Sequence, residues 1–304
     1  SRCAAFRRAC VNFAVRLLMT GSALTLILAA AVIHATWNFL NKRASGHATF
    51  TWLVAVLSAL LYAPLTIAII EVWGIEINFV LIGLMAGSAA LHTAYFVLLN
   101  QGYRVGDLSL VYPLARGTGP LLSSIGAIVF LGERPSIISL AGPLMFIGGA
   151  RALTANLSQL RQTGARDAVL YGLATGSFIA AYTLWDKQAV SHFGMIPLVL
   201  DWGANVGRGL LLTPLAVKYS DRTVVEWREH KYEAIACAVL IPLAYILVLM
   251  AMQFSPVSYV APAREISILF GTLMGTRLLG EGDAPRRLAG AGAMVLGVVG
   301  LAIG

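Results

Sequence analysis

Ten apolar stretches alternate with short polar segments along the chain, without the two-residue alternation of a half-buried strand. An α-helix needs about 20 apolar residues to cross a bilayer. Because lipid offers backbone groups no hydrogen-bond partner, continuous apolar runs of this length predict helices. The predicted spans are residues 22–40, 50–70, 79–100, 108–131, 136–153, 168–189, 195–217, 234–252, 257–279 and 288–304.

The composition also indicates a chain embedded in a lipid bilayer. Of its 304 residues, 58% are hydrophobic and 12% are charged, whereas soluble proteins average about 45–50% and 25%. The net charge of +8 is spread over loops rather than gathered in a basic domain, so nucleic acid is excluded as a partner. The three cysteines have no metal-ligand or redox spacing, so no metal or cofactor is predicted.

Residues 1–19 form an N-terminal extension outside the apolar pattern. It begins without Met and carries four arginines. A targeting segment, an expression scar and an over-long gene start all fit it, and Met19 is a natural start because the apolar run follows at once.

Basic residues predict the orientation, because cytoplasmic loops collect Lys and Arg. Thirteen follow odd-numbered spans, and only Arg134 and Lys187 follow even-numbered ones. This places the odd-numbered loops in the cytoplasm and predicts a protein of the bacterial inner (plasma) membrane. The four arginines of the extension, if native, favour the opposite orientation.

The second half of the chain repeats motifs of the first half in the same order. The paired motifs are Ser109-Leu-Val-Tyr-Pro113, Arg116 and Gly132-Glu133, against Ser258-Tyr-Val-Ala-Pro262, Arg264 and Gly280-Glu281. Five spans is an odd number, so the second unit enters the membrane in the opposite orientation. The predicted fold is all-α and integral to the membrane, with about ten transmembrane helices in two inverted five-helix repeats, residues 20–154 and 165–304.

These motifs resemble the EamA-type branch of the drug/metabolite transporter superfamily over residues 20–304. The segments that carry the resemblance are His34-Ala-Thr-Trp-Asn38 with Lys42, Ser109 through Arg116, Leu131-Gly-Glu-Arg134, Pro256 through Glu265, and Leu279-Gly-Glu281. The resemblance implies two five-helix repeats around a central cavity, lined chiefly by the first, third and fourth helices of each half. It also implies export or exchange of a small metabolite.

The first span carries a polar and aromatic stripe of His34, Trp37, Asn38 and Asn41, spaced i, i+3, i+4 and i+7. A polar face inside a membrane must meet protein or water, so we expect this stripe to line the cavity. The corresponding stripe in the sixth span is Thr175, Tyr182 and Asp186. The alternative places the residues near the span ends at the headgroup level, among them Trp37, Asn41, Lys42, Trp185, Asp186 and Lys187.

Two arginines follow the repeated proline motifs, Arg116 in the first half and Arg264 in the second. A guanidinium inside a membrane is costly, and it suits a carboxylate or phosphate, so both are candidates for binding an anionic group. The alternative is internal pairing, with Glu265 against an arginine of a neighbouring helix and Arg208 against Asp201 seven residues before it.

Further candidates for the cavity wall are aromatic, and for each the alternative is an ordinary buried core ring. They are His92, Tyr95, Tyr112, Tyr245 and Tyr259. Pro113 and Pro262 each remove a backbone donor at matching places and are candidates for a kink or hinge.

Four glycine pairs are spaced four residues apart, which lets helix backbones approach closely. We expect packing contacts at Gly83/Gly87, Gly172/Gly176, Gly271/Gly275 and Gly300/Gly304.

No catalytic or nucleotide-binding motif is found, so an enzyme is not predicted. The leading hypothesis is a secondary carrier for an amino acid or an amphipathic or anionic compound. The alternative is a non-transporting scaffold or assembly subunit with the same duplicated fold. Protons are the candidate coupling ion, through His34, His92, Asp186 or Glu265, with uncoupled efflux as the alternative. No pattern indicates an oligomeric state.

Overall fold

The computed structural model describes residues 25–44, 47–131, 165–254 and 266–303, together with residues 145, 148 and 149. Every regular element within these ranges is a helix. The helices are α1 (residues 25–43), α2 (Ala48–Trp73), α3 (Phe79–Val105), α4 (Leu108–Leu131), α5 (Ala165–Ser191), α6 (Pro197–Lys218), α7 (Ser220–Phe254), α8 (Ser267–Leu278) and α9 (Ala284–Ile303).

The helices coincide with the predicted spans, with three qualifications. The fifth span, residues 136–153, lies outside the described residues except for three helical positions, and so does the first part of the ninth. The N-terminal extension and the joint between the halves also lie outside them. The helix of the eighth span, α7, begins well before the predicted apolar run, and its charged first part is separated by a break in helical geometry at His230.

Four of the described helices are long and apolar enough to cross a membrane: Ala48–Trp73, Phe79–Val105, Arg166–Ser191 and Ser220–Ala251. Large apolar side chains also face outward, such as Leu60 at 65% exposure and Phe79 at 92%. A soluble monomer rarely leaves apolar surface of this extent in water. The protein is therefore a membrane protein whose outer surface suits lipid.

Helices of the first half pack mainly against helices of the second half. Helices α3 and α4 lie against α5, α2 and α3 lie against α6, α2 lies against α7, and α4 lies against α8 and α9. Neighbours along the chain such as α3 and α4 contact each other much less. The core therefore lies between the two halves, and side chains buried there are contributed by both.

Two glycines of α5 allow this helix to approach α4 closely. A Cβ on Gly172 would lie 3.0 Å from the Leu114 Cβ, and one on Gly176 would lie 2.9 Å from the Ala115 carbonyl oxygen. The packing prediction is confirmed for this pair. It is wrong for Gly83, which faces open space because α3 turns that position outward.

One end of the helix bundle collects the basic residues. Contacts join the helix ends there: Lys42 reaches the end of α3, His47 faces Glu226 of α7, and Glu281 reaches the start of α4. We call this the basic end. The described Lys and Arg side chains on it are Lys42, Arg43, Arg104, Arg166, Lys218, Arg222, Arg228, Lys231, Arg277, Arg286 and Arg287.

Candidate functional site

A buried carboxylate stands at the meeting point of three helices. Asp186 of α5 is 0% exposed. Its Oδ2 atom lies 2.9 Å from His92 Nε2 of α3 and accepts a hydrogen bond of 2.5 Å from the hydroxyl of Tyr245 in α7. None of the described residues donates a hydrogen bond to its Oδ1 atom. Asp186 is therefore enclosed by protein, because α5 packs this face against α3.

Four rings cluster beside this carboxylate, and two of them, His92 and Tyr245, contact it directly. The Tyr182 ring stacks on His92 with centroids 4.0 Å apart, and Tyr245 meets His92 edge-on at 5.2 Å. Tyr95 lies edge-on to Tyr182 at 5.4 Å. We call Asp186, His92, Tyr95, Tyr182 and Tyr245 the central cluster. All five side chains are buried, so the structure brings together four of the predicted site residues.

Helical spacing explains why these side chains converge. His92 and Tyr95 are three residues apart on α3, and Tyr182 and Asp186 are four apart on α5, so each pair shares one helix face. Tyr245 comes from α7. The cluster therefore needs helices of both halves, and neither half holds it alone.

A second buried charge lies beside the central cluster. The Arg208 guanidinium carbon of α6 stands 4.4 Å above the ring centroid of Phe96, and Arg208 interacts electrostatically with Asp201 and Asp186. The Asp201 carboxylate accepts a 2.9 Å hydrogen bond from Asn205. The predicted Arg208–Asp201 pair is thus a longer-range attraction, because the guanidinium stacks on a ring instead.

The α1 stripe is buried between helices. Trp37 Nε1 donates to His34 Nδ1 at 2.9 Å, and the Tyr103 hydroxyl donates to Asn38 Oδ1 at 2.6 Å. Asn41 donates to Asn100 at 2.7 Å. Neighbouring helices therefore enclose Trp37 and Asn41, since 2% and 4% of their surfaces are exposed. The stripe joins α1 to α3 and approaches the central cluster through Phe96, whose ring centroid is 5.7 Å from that of Trp37.

The α4 candidates lie on the other side of Tyr95. Tyr112 is fully buried and its ring lies against Gly271 of α8. Arg116 is 3% exposed and interacts electrostatically with Tyr95. The helix continues through Pro113. Their predicted second-half counterparts, Tyr259, Pro262, Arg264 and Glu265, lie outside the described residues.

A separate polar network occupies the basic end. The Glu281 carboxylate accepts hydrogen bonds from the backbone amides of Leu108 and Ser109 at 2.7 and 2.8 Å. Arg287 Nη2 donates to Asp107 at 2.6 Å. The sequence shows the Gly-Glu motif only as a repeat and does not predict this capping role, because the capped amides are about 170 residues away in the chain.

Sequence analysis names Asp186 as a candidate for proton coupling and Arg208 only as a pairing partner of Asp201, and it does not predict that both lie beside one aromatic cluster. Asp186 lies near the end of its predicted span, and Arg208 is expected from the sequence to be structural. The sequence signal that Asp186 and Arg208 share is a charged side chain inside a predicted span. In each case this side chain lies on the same helix face as an aromatic or amide side chain. Among the described residues, no group of three or more His, Cys, Asp and Glu side chains could hold a metal ion.

Comparison with known proteins gives a family match and a fold match. Residues 167–303 match the model of the EamA-like transporter family. One solved structure, described as "Crystal structure of protein", has a TM-score of 0.60 and 15% sequence identity, and the match covers 94% of this chain and 98% of that chain. At this identity the likeness shows the fold alone. No curated protein gives a significant match.

Proposed function

We propose that this chain, which belongs to the EamA-like transporter family, is a secondary carrier that exports or exchanges a small metabolite by alternating access. The observation that carries the proposal is the central cluster: a fully buried carboxylate ringed by aromatic side chains, with helices of both halves contributing to it. Ionisable groups inside a membrane protein are costly, and they typically mark a substrate or ion pathway.

The proposed architecture is ten helices in two inverted five-helix repeats, residues 20–154 and 165–304. The cross-half packing supports it, because exchanging the two repeats turns the contact of α3 with α6 into the contact of α7 with α2, and both contacts are present. The collection of Lys and Arg at one end supports a cytoplasmic position for the basic end. An inner (plasma) membrane of a bacterium is the location we propose.

Alternating access requires each end of the carrier to open in turn. At the basic end, contacts between described residues bridge the two halves, among them Glu281 to Ser109, Arg287 to Asp107, His47 to Glu226 and Arg43 to Glu233. We propose that the structure corresponds to a state closed at this end, and that these contacts part when it opens.

The proposed substrate site comprises the central cluster, the α1 stripe and the α4 candidates, with the second-half residues that lie outside the described ranges. Its residues are His34, Trp37, Asn38, His92, Tyr95, Tyr112, Arg116, Tyr182, Tyr245, Tyr259, Arg264 and Glu265, with hinges at Pro113 and Pro262. Polar and aromatic groups together suit a small amphipathic molecule.

A flux experiment tests the carrier proposal. Purified protein is placed in liposomes loaded with an isotope-labelled mixture of small amino acids, amines and carboxylates, and mass spectrometry follows their release. We expect faster release of a subset than from protein-free liposomes, and loss of that release when His92 and Tyr182 are both replaced by Ala. The matched control replaces His192 and Tyr232, which are exposed to solvent or lipid.

Two outcomes contradict the proposal. A protein that elutes as a single folded species but releases nothing faster than empty liposomes is a scaffold. Release of chemically altered compounds indicates an enzyme.

Arg116 offers a test of the anion-binding part of the site. Replacement by Lys keeps the charge but loses the two-pronged guanidinium, and replacement by Ala removes both. We expect Lys to weaken release of an anionic substrate and Ala to weaken it further, with the thermal stability of both variants close to that of the parent. Loss of folded protein in both variants would indicate a structural role instead.

Protons are the coupling ion we propose. Asp186 faces His92 of α3, Tyr245 of α7, and the charges of Arg208 and Asp201 of α6, so a transferred proton has acceptors close together. Release measured with and without a pH gradient decides the point. Equal rates would indicate uncoupled efflux.

A further inference from the structure

The described residues donate hydrogen bonds to only one of the two oxygens of the Asp186 carboxylate. Both protein hydrogen bonds, from His92 and from Tyr245, go to Oδ2. No hydrogen bond from the described part of the chain reaches Oδ1, which is buried like the rest of this residue. A buried carboxylate oxygen that lacks a donor carries a large desolvation penalty, so this atom is suited to a donor that comes from outside the chain.

The nearby guanidinium of Arg208 is positioned by the Phe96 ring rather than by an ion pair with Asp186. It lies over the Phe96 ring and acts on Asp186 through longer-range attraction rather than through an ion pair. The Nε2 atom of His92 already forms a hydrogen bond with Oδ2. These two side chains therefore leave the Oδ1 side open to a further positive group.

The aromatic rings beside Asp186 also favour a positively charged group. His92, Tyr95, Tyr182 and Tyr245 lie with centroids 4.0 to 6.3 Å from their neighbours in the cluster. Ring faces attract cations through their quadrupole, most strongly where water is excluded. An anionic group placed here would meet the Asp186 charge, and the described residues offer no third ligand for a metal ion.

From this arrangement we infer that Asp186 Oδ1, with the rings of Tyr182, Tyr95 and Tyr245, forms a binding site for a cationic nitrogen, such as a protonated amine. The inference rests on the carrier proposal, since it names the charged group that the substrate presents to this side of the site. The ammonium donates to Oδ1 while the rings contact its neighbouring carbons.

The test uses three probes that share one frame and differ in charge. They are 2-phenylethylamine, 2-phenylethanol and phenylacetate, which are positive, neutral and negative at neutral pH. Binding to the purified full chain in detergent is measured by titration calorimetry. We expect the amine to bind about tenfold or more tightly than the alcohol, and phenylacetate to bind most weakly.

The decisive variant is Asp186→Asn, which keeps the shape and removes the charge. We expect it to weaken amine binding about tenfold or more while leaving alcohol binding within about twofold. Glu71→Gln is the matched control, since it also neutralises one carboxylate, on the exposed surface of α2. It is expected to leave both affinities unchanged.

Several results would overturn the inference. These are amine binding no tighter than alcohol binding in the wild-type protein, unchanged amine binding in Asp186→Asn, and preferential binding of phenylacetate. The charge series on the wild-type protein tests the inference even if the Asp186 variant does not fold.

Flux measurements separate this inference from the carrier proposal. Amine that binds in an Asp186-dependent way but does not cross the liposome membrane supports the site and contradicts the carrier. A metabolite that is carried while amines neither bind nor compete supports the carrier and contradicts the site.

Discussion

The Glu281 carboxylate caps the first turn of α4 by accepting the Ser109 backbone amide at 2.8 Å, and so ties the two halves together. The first amides of a helix lack partners within it, and the helix dipole favours a negative charge there. Lys42 meets the preceding turn from the other direction, donating to the Gly106 carbonyl at 2.7 Å and to that of Tyr103. The α3–α4 turn is therefore held by opposite charges, each at the helix end that suits it.

Glu281→Gln removes the charge from this cap. We expect the variant to lose about 1–3 kcal/mol of stability, since hydrogen bonds to a charged group are among the stronger ones. Thermal unfolding of the purified protein in detergent measures the loss. Asp283→Asn is the control, because Asp283 is largely exposed and only reaches Arg286 at 3.8 Å. Equal midpoints for the two variants would contradict the cap.

Lys42→Met and Arg43→Met form a matched pair. Lys42 is half-buried and binds two carbonyls at the end of α3, whereas the Arg43 side chain is 64% exposed and only approaches Glu233 at 3.7 Å. We expect the Lys42 variant to unfold at a clearly lower temperature and the Arg43 variant to differ little from the wild type, because exposed ion pairs contribute at most about 1 kcal/mol. The reverse order would show that Lys42 does not stabilise α3.

Gly176→Ala tests the close approach of α4 and α5. The new methyl would lie 2.9 Å from the Ala115 carbonyl oxygen and closer still to Thr118, so the helices must move apart. We expect a loss of about 1–3 kcal/mol, seen as a lower unfolding temperature. Gly83→Ala adds the same methyl to a helix where it meets nothing within 4 Å, and should stabilise by about 0.5–1 kcal/mol. Similar effects of the two changes would count against the tight α4–α5 contact.

Acidification should destabilise the folded protein at its basic end through protonation of His47, which lies between α1 and α2. Burial, followed by the positive charges of Arg222, Arg104 and His230, lowers the pKa of His47 below its usual 6.5. As the pH falls, the unfolded chain therefore takes up the proton before the folded protein does. The stability contributed by neutral His47 is complete above pH 6.5 and is lost as the pH drops towards the lowered pKa. Unfolding midpoints from about pH 8 to about pH 5.5 should fall in the wild type and fall less in His47→Gln. Parallel curves for the two proteins would show that His47 does not contribute.

The described helices follow the predicted apolar stretches because an apolar helix is a local property: length and hydrophobicity within one segment suffice for it. The site was predicted less completely. His92, Tyr95, Tyr182 and Tyr245 stand out in the sequence as separate candidates, and nothing in it indicates that they share one carboxylate. Asp186 lies close enough to the end of its predicted span that a headgroup position was equally consistent with its place in the chain.

What the sequence determined by itself was the membrane character, the positions of the apolar stretches, the duplicated motifs and the bias of basic residues, all of which depend on local composition or on order along the chain. Only the tertiary structure decided that Asp186 lies between His92 and Tyr245, that Arg208 rests on Phe96, and that Glu281 caps α4. These contacts join residues about 60 to 170 positions apart on different elements of the fold, and a one-dimensional pattern does not record which of them meet. The physical reason is that a helix presents side chains all around its axis, and packing against neighbouring helices alone selects which of them become the buried polar core.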